Sequence, residues 1–325
     1  MSDRSAMIEL WTECNNLCSF CFLGDDNRFE TNENKLKILH NANVILDKII
    51  EKEQGDPLKA VGLIGGEFFQ GQLSTKEIYD NFYSFCKRIF NLMNDGLVTD
   101  FWCYATLTIG DQKDLYTLID LFDKTVNDKE KHTFWVLVSY DTKGRYHTEE
   151  RKQNFLYHLE NLQKYPFIKF NTTSIMTEDF CQKVLSGELN LKEYTKKYKS
   201  TLFLKNGVLP NGTEDLDEFK RKMPWFLVKR KTFIKFLRKL KIEMPDFFNS
   251  TLQISLRADD MYNGIKFFNS EKDIQAKHRN KVTWDEPAEE YLPCGHTAMY
   301  QCYDDSDACC LCDYLNIKNG DTLTN

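Results

Sequence analysis

Ala60-Val61-Gly62-Leu63-Ile64, followed directly by Gly65-Gly66-Glu67, is the stretch of sequence that decides the fold. A short apolar run that ends in glycines is typical of a buried strand in a parallel sheet. Strand-like and helix-like segments alternate about six times around it, between residues 1 and 205. Each return to a parallel strand needs a crossover, which a helix supplies. The sequence therefore predicts a six-unit α/β sheet, either curled into a partial barrel or left open.

The predicted elements follow from hydrophobic periodicity. The predicted strands cover residues 7–12, 60–64, 101–107, 134–139, 167–175 and 201–204. The predicted helices between them cover residues 36–50, 78–93, 114–122 and 150–163, with further helical segments before the sixth strand. Ser74 with Glu77 predicts a capping box at the start of the second helix. Beyond residue 205 the alternation stops, and residues 206–213 are predicted to form a linker to a second domain over 206–325.

The composition is that of a globular protein. The 325 residues include 43 Lys and Arg against 49 Asp and Glu, a formal net charge of −6, with 42% hydrophobic residues. This excludes a disordered or collagen-like chain, and the acidic balance argues against a general nucleic-acid binder. No apolar run approaches the ~20 residues that span a bilayer, and no signal peptide precedes the first strand. The sequence predicts a soluble, cytoplasmic protein without a membrane partner.

The eleven cysteines are unevenly distributed. An odd number of cysteines without a signal peptide argues against a secreted disulfide framework. Cys86, Cys103 and Cys181 lie in apolar helix or strand patterns and are predicted to be small core residues. The other eight form two groups, one near each end of the chain, and these groups are the candidates for metal binding.

The first group is Cys14-Asn15-Asn16-Leu17-Cys18-Ser19-Phe20-Cys21, a C-x3-C-x2-C loop directly after the first predicted strand. Three thiolates on one tight loop are able to hold three irons of a [4Fe–4S] cluster and leave the fourth iron open for a substrate. A zinc site usually has four protein ligands, so zinc here would need a distant fourth residue. The loop and Gly65-Gly66-Glu67 both fall at the carboxyl ends of strands, where catalytic loops of such folds lie.

With these residues the sequence resembles the radical S-adenosylmethionine enzymes. Their signature is the same C-x3-C-x-aromatic-C after the first strand of a partial (β/α)6 TIM-like barrel, and Phe20 occupies the aromatic position, which packs near the adenine. Gly65-Gly66-Glu67 matches the family's GGE motif, whose backbone and glutamate bind the methionine amino group of S-adenosylmethionine. The resemblance covers residues 7–205 and implies a [4Fe–4S] cluster on Cys14, Cys18 and Cys21.

The resemblance also implies a reaction: reductive cleavage of S-adenosylmethionine to a 5′-deoxyadenosyl radical, which abstracts a hydrogen atom from a substrate. The segment from Ser139 to Arg151 is similar to a S-x-D-G … H-D … R run of peptide-modifying members, matching at Ser139, Asp141, His147 and Arg151. Thr142 and Thr148 depart from that run. By position, Ser139 is expected to face the ribose and Arg151 to reach the cofactor carboxylate or the substrate. Asp141 and His147 are alternatively plain turn residues. The sequence selects no catalytic acid or base.

The second cysteine group lies in the C-terminal extension. Cys294, Cys302, Cys309 and Cys312 are predicted to hold a second [4Fe–4S] cluster, with a structural zinc ion or free thiols as the alternatives. The pattern looks like the SPASM or twitch auxiliary-cluster domains of some family members, although it has too few cysteines for two further clusters.

Residues 220–241 contain ten Lys or Arg and no acidic residue. This stretch is predicted to be either the solvated face of an amphipathic helix or a docking surface for an acidic partner. Such a partner would be a leader peptide, an electron donor such as flavodoxin or ferredoxin, or nucleic acid. The sequence favours a peptide or protein side chain as substrate. Its alternatives are a nucleotide, nucleoside or other small molecule, and a non-catalytic protein that binds zinc.

Overall fold

The computed structural model describes residues 5–14, 16–21, 31–52, 55–69, 71, 75–206, 216–244 and 280–281. The strands are β1 (Ser5–Glu9), β2 (Leu58–Ile64), β3 (Val98–Tyr104), β4 (Thr133–Ser139), β5 (Ile168–Met176), β6 (Ser200–Asn206) and β7 (Asn280–Lys281). The helices are α1 (Asn32–Lys52), α2 (Lys76–Asn94), α3 (Lys113–Thr125), α4 (Glu149–Leu162), α5 (Glu178–Ser186), α6 (Leu191–Tyr198), α7 (Leu216–Lys222) and α8 (Arg230–Glu243).

The strands form one parallel sheet in the order β6-β5-β4-β3-β2-β1-β7. The six strands β1–β6 follow chain order and are connected by helices, which gives an open, TIM-like partial barrel and confirms the predicted fold class. The two-residue β7 was not predicted, because so short a strand leaves no periodic signal. It pairs with β1 at the edge of the sheet.

The core lies between the sheet and its helices. Alternate residues of each strand are buried there, such as Ile8 of β1, Phe101 of β3 and Phe134 of β4. Phe101 also makes edge and tilted ring contacts with Phe90 of α2 and with Phe134, both at 5.1 Å between centroids. The side chains between these positions lie on the opposite face of the sheet, because successive residues of a strand alternate.

Several predicted element boundaries differ from the structure. β1 covers Ser5–Glu9 instead of residues 7–12. The N-cap of α2 is Thr75 rather than Ser74, since the Thr75 hydroxyl accepts a hydrogen bond from the Ile78 amide at 3.3 Å. β3 begins at Val98, earlier than predicted, and residues 105–107 already belong to the loop beyond it. These differences move an element boundary without changing the type of the element, because periodicity locates an element better than its ends.

The basic stretch forms two helices, α7 and α8, instead of one long helix. Pro224 follows α7 closely; proline lacks an amide hydrogen and restricts the residue before it, so α7 ends at Lys222. α8 packs on α5, where Phe180 and Phe236 meet at 6.1 Å between ring centroids. The buried carboxylate of Glu178 fixes this contact by accepting hydrogen bonds from the Lys229 amide and the Thr232 hydroxyl, both at 2.8 Å.

No helix in the described part of the chain is both long and apolar enough to cross a membrane. The predicted linker over 206–213 and the C-terminal cysteines Cys294, Cys302, Cys309 and Cys312 lie almost entirely or wholly outside the described residues.

Candidate functional site

The loops after β1 and β2 are joined at the carboxyl edge of the sheet. Leu10 donates its amide to the Ile64 carbonyl at 3.0 Å, which extends the pairing of the two strands. The Gly66 amide then donates to the Trp11 carbonyl and the Glu67 amide to the Glu13 carbonyl, both at 2.9 Å. The Gly65-Gly66-Glu67 loop is therefore hydrogen-bonded directly to the segment that leads into Cys14.

This contact leaves no room for side chains at the two glycines. A Cβ atom on Gly66 would lie 1.9 Å from the Glu13 carbonyl oxygen, and one on Gly65, whose φ is +153°, would lie 2.3 Å from the Trp11 carbonyl oxygen. The sequence predicted that these glycines admit a ligand. In the structure their nearest neighbours are the backbone atoms of residues 11–13, so the close approach of two loops already requires them.

The Glu67 side chain is fully buried between loops. One carboxylate oxygen accepts a hydrogen bond from the Phe69 amide at 2.9 Å, and the other accepts one from the Thr106 amide in the loop after β3. Burial raises the pKa of Glu67, although these hydrogen bonds work in the opposite direction. The carboxylate thus links the loops after β2 and β3, while its predicted role in binding an ammonium group stays a prediction.

The three thiols of the cysteine loop lie close enough to influence one another. Cys18 is buried, and Cys14 and Cys21 are half-buried. Burial is the main reason why the pKa of Cys14 rises to about 12 and that of Cys18 also rises, and neighbouring thiols act in the same direction. In the described residues, no three His, Cys, Asp or Glu side chains are arranged so that they share a metal ion.

Asn16 organises the inside of the loop. Its main-chain amide donates to Cys14 Sγ at 3.4 Å and its side-chain Nδ2 donates to Cys18 Sγ at 3.2 Å. Its Oδ1 accepts hydrogen bonds from the Thr108 hydroxyl at 3.0 Å and from Arg151 Nη1 at 3.1 Å. No role was predicted for this residue from the sequence, although an amide side chain between Cys14 and Cys18 is a visible signal for N–H···S bonding.

The segment after β4 reaches the same loop. His147 Nε2 lies 2.8 Å from the Asn16 carbonyl oxygen, so that nitrogen carries the proton. Arg151 also contacts Asn16, whereas Ser139 ends β4 at the same edge, with its carbonyl accepting a hydrogen bond from the Tyr146 hydroxyl at 3.1 Å. The structure therefore places His147 and Arg151 in direct contact with the cysteine loop. The predicted cofactor contacts of Ser139 and Arg151 stay predictions.

Arg145 is a second residue that sequence reasoning missed. Its Nε donates to the buried Asp141 carboxylate at 2.5 Å and its Nη1 donates to Cys18 Sγ at 3.5 Å. Burial acts to lower the pKa of Arg145, but Cys18 and Asp141 outweigh it and raise that pKa above its usual range. Asp141 is also fixed, since it accepts the Ile175 amide at 3.0 Å. These contacts make Asp141 more than a turn residue.

Phe20 joins the cysteine loop to the basic helices. Its ring stacks with Phe226 at 5.7 Å between centroids and meets the edge of Trp225 at 6.2 Å. Gly144 packs beside them, where a Cβ atom would lie 2.8 Å from the Phe20 ring and 2.6 Å from that of Trp225. Aromatic side chains of the turn between α7 and α8 therefore occupy the surroundings of Phe20, and its predicted contact with an adenine stays a prediction.

The donor set suits an iron–sulfur cluster in its chemistry. Three cysteines on one loop supply the thiolates, and N–H groups of Asn16 and Arg145 point at two of the sulfurs. Hydrogen bonds of this kind stabilise thiolate charge and influence the potentials of iron–sulfur clusters. A cationic cluster would also reverse the effect of burial on Cys14 and Cys18, because a coordinated thiol is deprotonated.

No family model matches the chain, and no curated protein is significantly similar to it in sequence. Among solved structures, the chain is similar to HydG, a maturase of the [FeFe]-hydrogenase, with 12% identity and a TM-score of 0.43, over 74% of this chain and 50% of that one. It thus spans half the length of HydG. A sugar phosphate isomerase/epimerase from Parabacteroides distasonis ATCC 8503 matches with 11% identity and a TM-score of 0.31, over 80% of this chain and 88% of the other.

Proposed function

We propose that this chain is a radical S-adenosylmethionine enzyme that binds a [4Fe–4S] cluster through Cys14, Cys18 and Cys21. The observation that carries the proposal is the joining of a C-x3-C-x-F-C loop to a Gly-Gly-Glu loop at the carboxyl edge of a parallel sheet. Neither motif is decisive alone. Their direct hydrogen bonds, at the edge where α/β folds place their catalytic loops, support the combination.

When bound and reduced, the cluster would supply the electron that cleaves S-adenosylmethionine to methionine and a 5′-deoxyadenosyl radical. The chain's own residues prepare the site for this. The three cysteines provide the ligands, and Asn16 and Arg145 donate hydrogen bonds to their sulfurs. The Gly66 and Glu67 amides hold the segment that leads into the cysteine loop at the sheet edge.

For the substrate we propose a peptide or protein side chain. The resemblance of Ser139–Arg151 to peptide-modifying enzymes supports this class, together with the placement of His147 and Arg151 on the cysteine loop. Cys294, Cys302, Cys309 and Cys312 would hold a second [4Fe–4S] cluster or a structural zinc ion in this proposal. An electron donor of the flavodoxin or ferredoxin class would supply the reducing equivalents, and the cytoplasm is the compartment that fits this chemistry.

The first test is the metal content of the protein purified without oxygen and reconstituted with iron and sulfide. About eight irons per chain would indicate two [4Fe–4S] clusters. About four irons with one zinc would indicate one cluster and a structural zinc ion in the C-terminal extension. Zinc alone, with no iron bound after reconstitution, would overturn the proposal.

The second test is formation of 5′-deoxyadenosine from S-adenosylmethionine with a chemical reductant. Replacing Cys14, Cys18 and Cys21 together by Ala should abolish it, whereas Cys181→Ala, in the core beside α8, should retain it. Undiminished cleavage by the triple variant would contradict the assignment. Screening peptides against nucleosides for substrate-dependent 5′-deoxyadenosine would then distinguish the substrate classes.

A further inference from the structure

The guanidinium group of Arg145 lies beside the sulfur of Cys18 and has three neighbours that fix its position. Nη1 donates to Cys18 Sγ at 3.5 Å, Nε donates to Asp141 Oδ2 at 2.5 Å, and the guanidinium carbon lies 5.5 Å from the centroid of the Phe20 ring. The arginine side chain is only 13% exposed. A cation is therefore fixed, largely away from water, beside one of the three cysteines of the loop.

The partners of Arg145 are themselves anchored. The Asp141 side chain is 3% exposed, and its second oxygen accepts the Ile175 amide at the end of β5. The segment carrying Arg145 is also bound to the cysteine loop, because the Ser19 amide donates to the Gly144 carbonyl at 3.0 Å. The position of the guanidinium relative to Cys18 is thus set by the sheet and by the loop together.

A fixed cation at this place has a direct electrostatic consequence. Adding one electron to a cluster adds one negative charge, part of which resides on the cysteine sulfurs. A nearby positive charge and an N–H···S bond stabilise the reduced form more than the oxidised form, and they do so more strongly where water is excluded. We propose that Arg145 is a positioning residue that raises the reduction potential of the cluster held by Cys14, Cys18 and Cys21.

The inference rests on the proposed function, since it requires that cluster. The step concerned is the transfer of one electron from a donor of the flavodoxin or ferredoxin class, with no bond formed or broken. A less negative potential lets such a donor reduce a larger fraction of the protein. Arg151, by contrast, contacts the same cysteine loop by donating to the two oxygens of Asn16 instead of to a sulfur.

The test compares midpoint potentials of reconstituted proteins, measured by redox titration and followed by electron paramagnetic resonance. In Arg145→Gln the midpoint potential should shift to a more negative value. The matched control is Arg88→Gln, which removes a half-buried arginine paired with Asp47 between α1 and α2. Its midpoint potential should equal that of the wild type, because this arginine lies in the helical layer.

Arg145→Gln leaves the Asp141 carboxylate buried without its cation, which is costly and is able to prevent folding. The double variant Arg145→Gln/Asp141→Asn removes both charges and avoids that cost. It should also shift the potential to a more negative value, by less than the single variant, because the carboxylate is removed with the cation. A wild-type potential in either folded variant with full iron content would overturn the inference. A wild-type protein that binds no cluster would overturn the proposed function itself.

Discussion

Two regions of the described structure hold cysteines whose contacts differ more than their burial does. At the carboxyl edge of the sheet, Cys18 is 7% exposed and accepts N–H groups from Asn16 and Arg145. In the core between the sheet and its helices, Cys86 of α2 and Cys103 of β3 are fully buried among apolar side chains. Burial raises the pKa of the thiols in both regions.

The difference distinguishes the cysteines proposed as cluster ligands from the core cysteines. A buried thiol in an apolar core is a small hydrophobic group, and nothing around it favours a negative charge. N–H groups directed at a sulfur stabilise the negatively charged thiolate. A core cysteine that stays a neutral thiol does not need them. Hydrogen-bond donors to the sulfur, rather than burial, therefore distinguish Cys14 and Cys18 from the core cysteines Cys86 and Cys103.

Backbone crowding at the carboxyl edge gives the largest expected effect. Gly66→Ala places a methyl group 1.9 Å from the Glu13 carbonyl oxygen, so the two loops must separate, and we expect the free energy of unfolding to fall by about 4 kcal/mol or more. The control is Gly187→Ala at the end of α5, where φ is +84° and no atom lies within 4 Å of the new Cβ. Only the backbone strain of about 1 kcal/mol applies there.

Urea unfolding of both variants, with the iron content of the reconstituted proteins, checks this prediction. Gly66→Ala should also bind less iron, because its loop supports the segment that enters Cys14. Equal losses of stability in the two variants would mean that the contact between the loops after β1 and β2 is unimportant.

The sequence predicted the positions of the strands and of the loops after them better than it predicted the side-chain contacts between those loops. Apolar runs such as residues 60–64 located the strands, and the position of the two motifs after the first and second strands predicted that both lie at the carboxyl ends of strands. Asn16 and Arg145 were missed for a physical reason. Their importance lies in contacts across 127 residues in the case of Arg145 and Cys18, and periodicity carries no information about such pairs. Pro224, which divides the basic stretch, is visible in the sequence as a helix breaker, but the sequence-based prediction gave it no role.

A reciprocal pair of serine variants sharpens the comparison between the two regions. Cys18→Ser keeps an acceptor for Asn16 and Arg145, so we expect little change in stability but a loss of bound iron. Cys103→Ser places a hydroxyl in the apolar core and should lower the free energy of unfolding by about 1–3 kcal/mol, with the iron content unchanged.

Chemical unfolding and iron analysis of the two variants give four values, of which two should change. The comparison fails if Cys103→Ser loses iron, because a core thiol would then take part in cofactor binding. It also fails if Cys18→Ser retains the iron of the wild type.

His158 of α4 lies where the two regions meet and gives the smallest expected effect. Its Nε2 lies 3.0 Å from the Ile109 carbonyl oxygen and 3.2 Å from that of Gly110, in the loop after β3, and its Nδ1 lies 3.2 Å from the Tyr116 hydroxyl. Carbonyls only accept, so Nε2 carries the proton and Nδ1 accepts from Tyr116 in the neutral ring.

Burial lowers the pKa of His158 below its value in the unfolded chain, although the two carbonyls act in the opposite direction. The stabilising contribution of the neutral ring is therefore complete above the unfolded pKa of about 6.5 and is lost as the pH falls through the folded pKa. Between pH 7.5 and pH 5.5, the free energy of unfolding should fall further for the wild type than for His158→Gln, which cannot take up a proton. An equal fall in both proteins, measured by urea unfolding at the two pH values, would show that the ring titrates alike in the folded and unfolded chains, and that the loop after β3 gains nothing from a neutral imidazole.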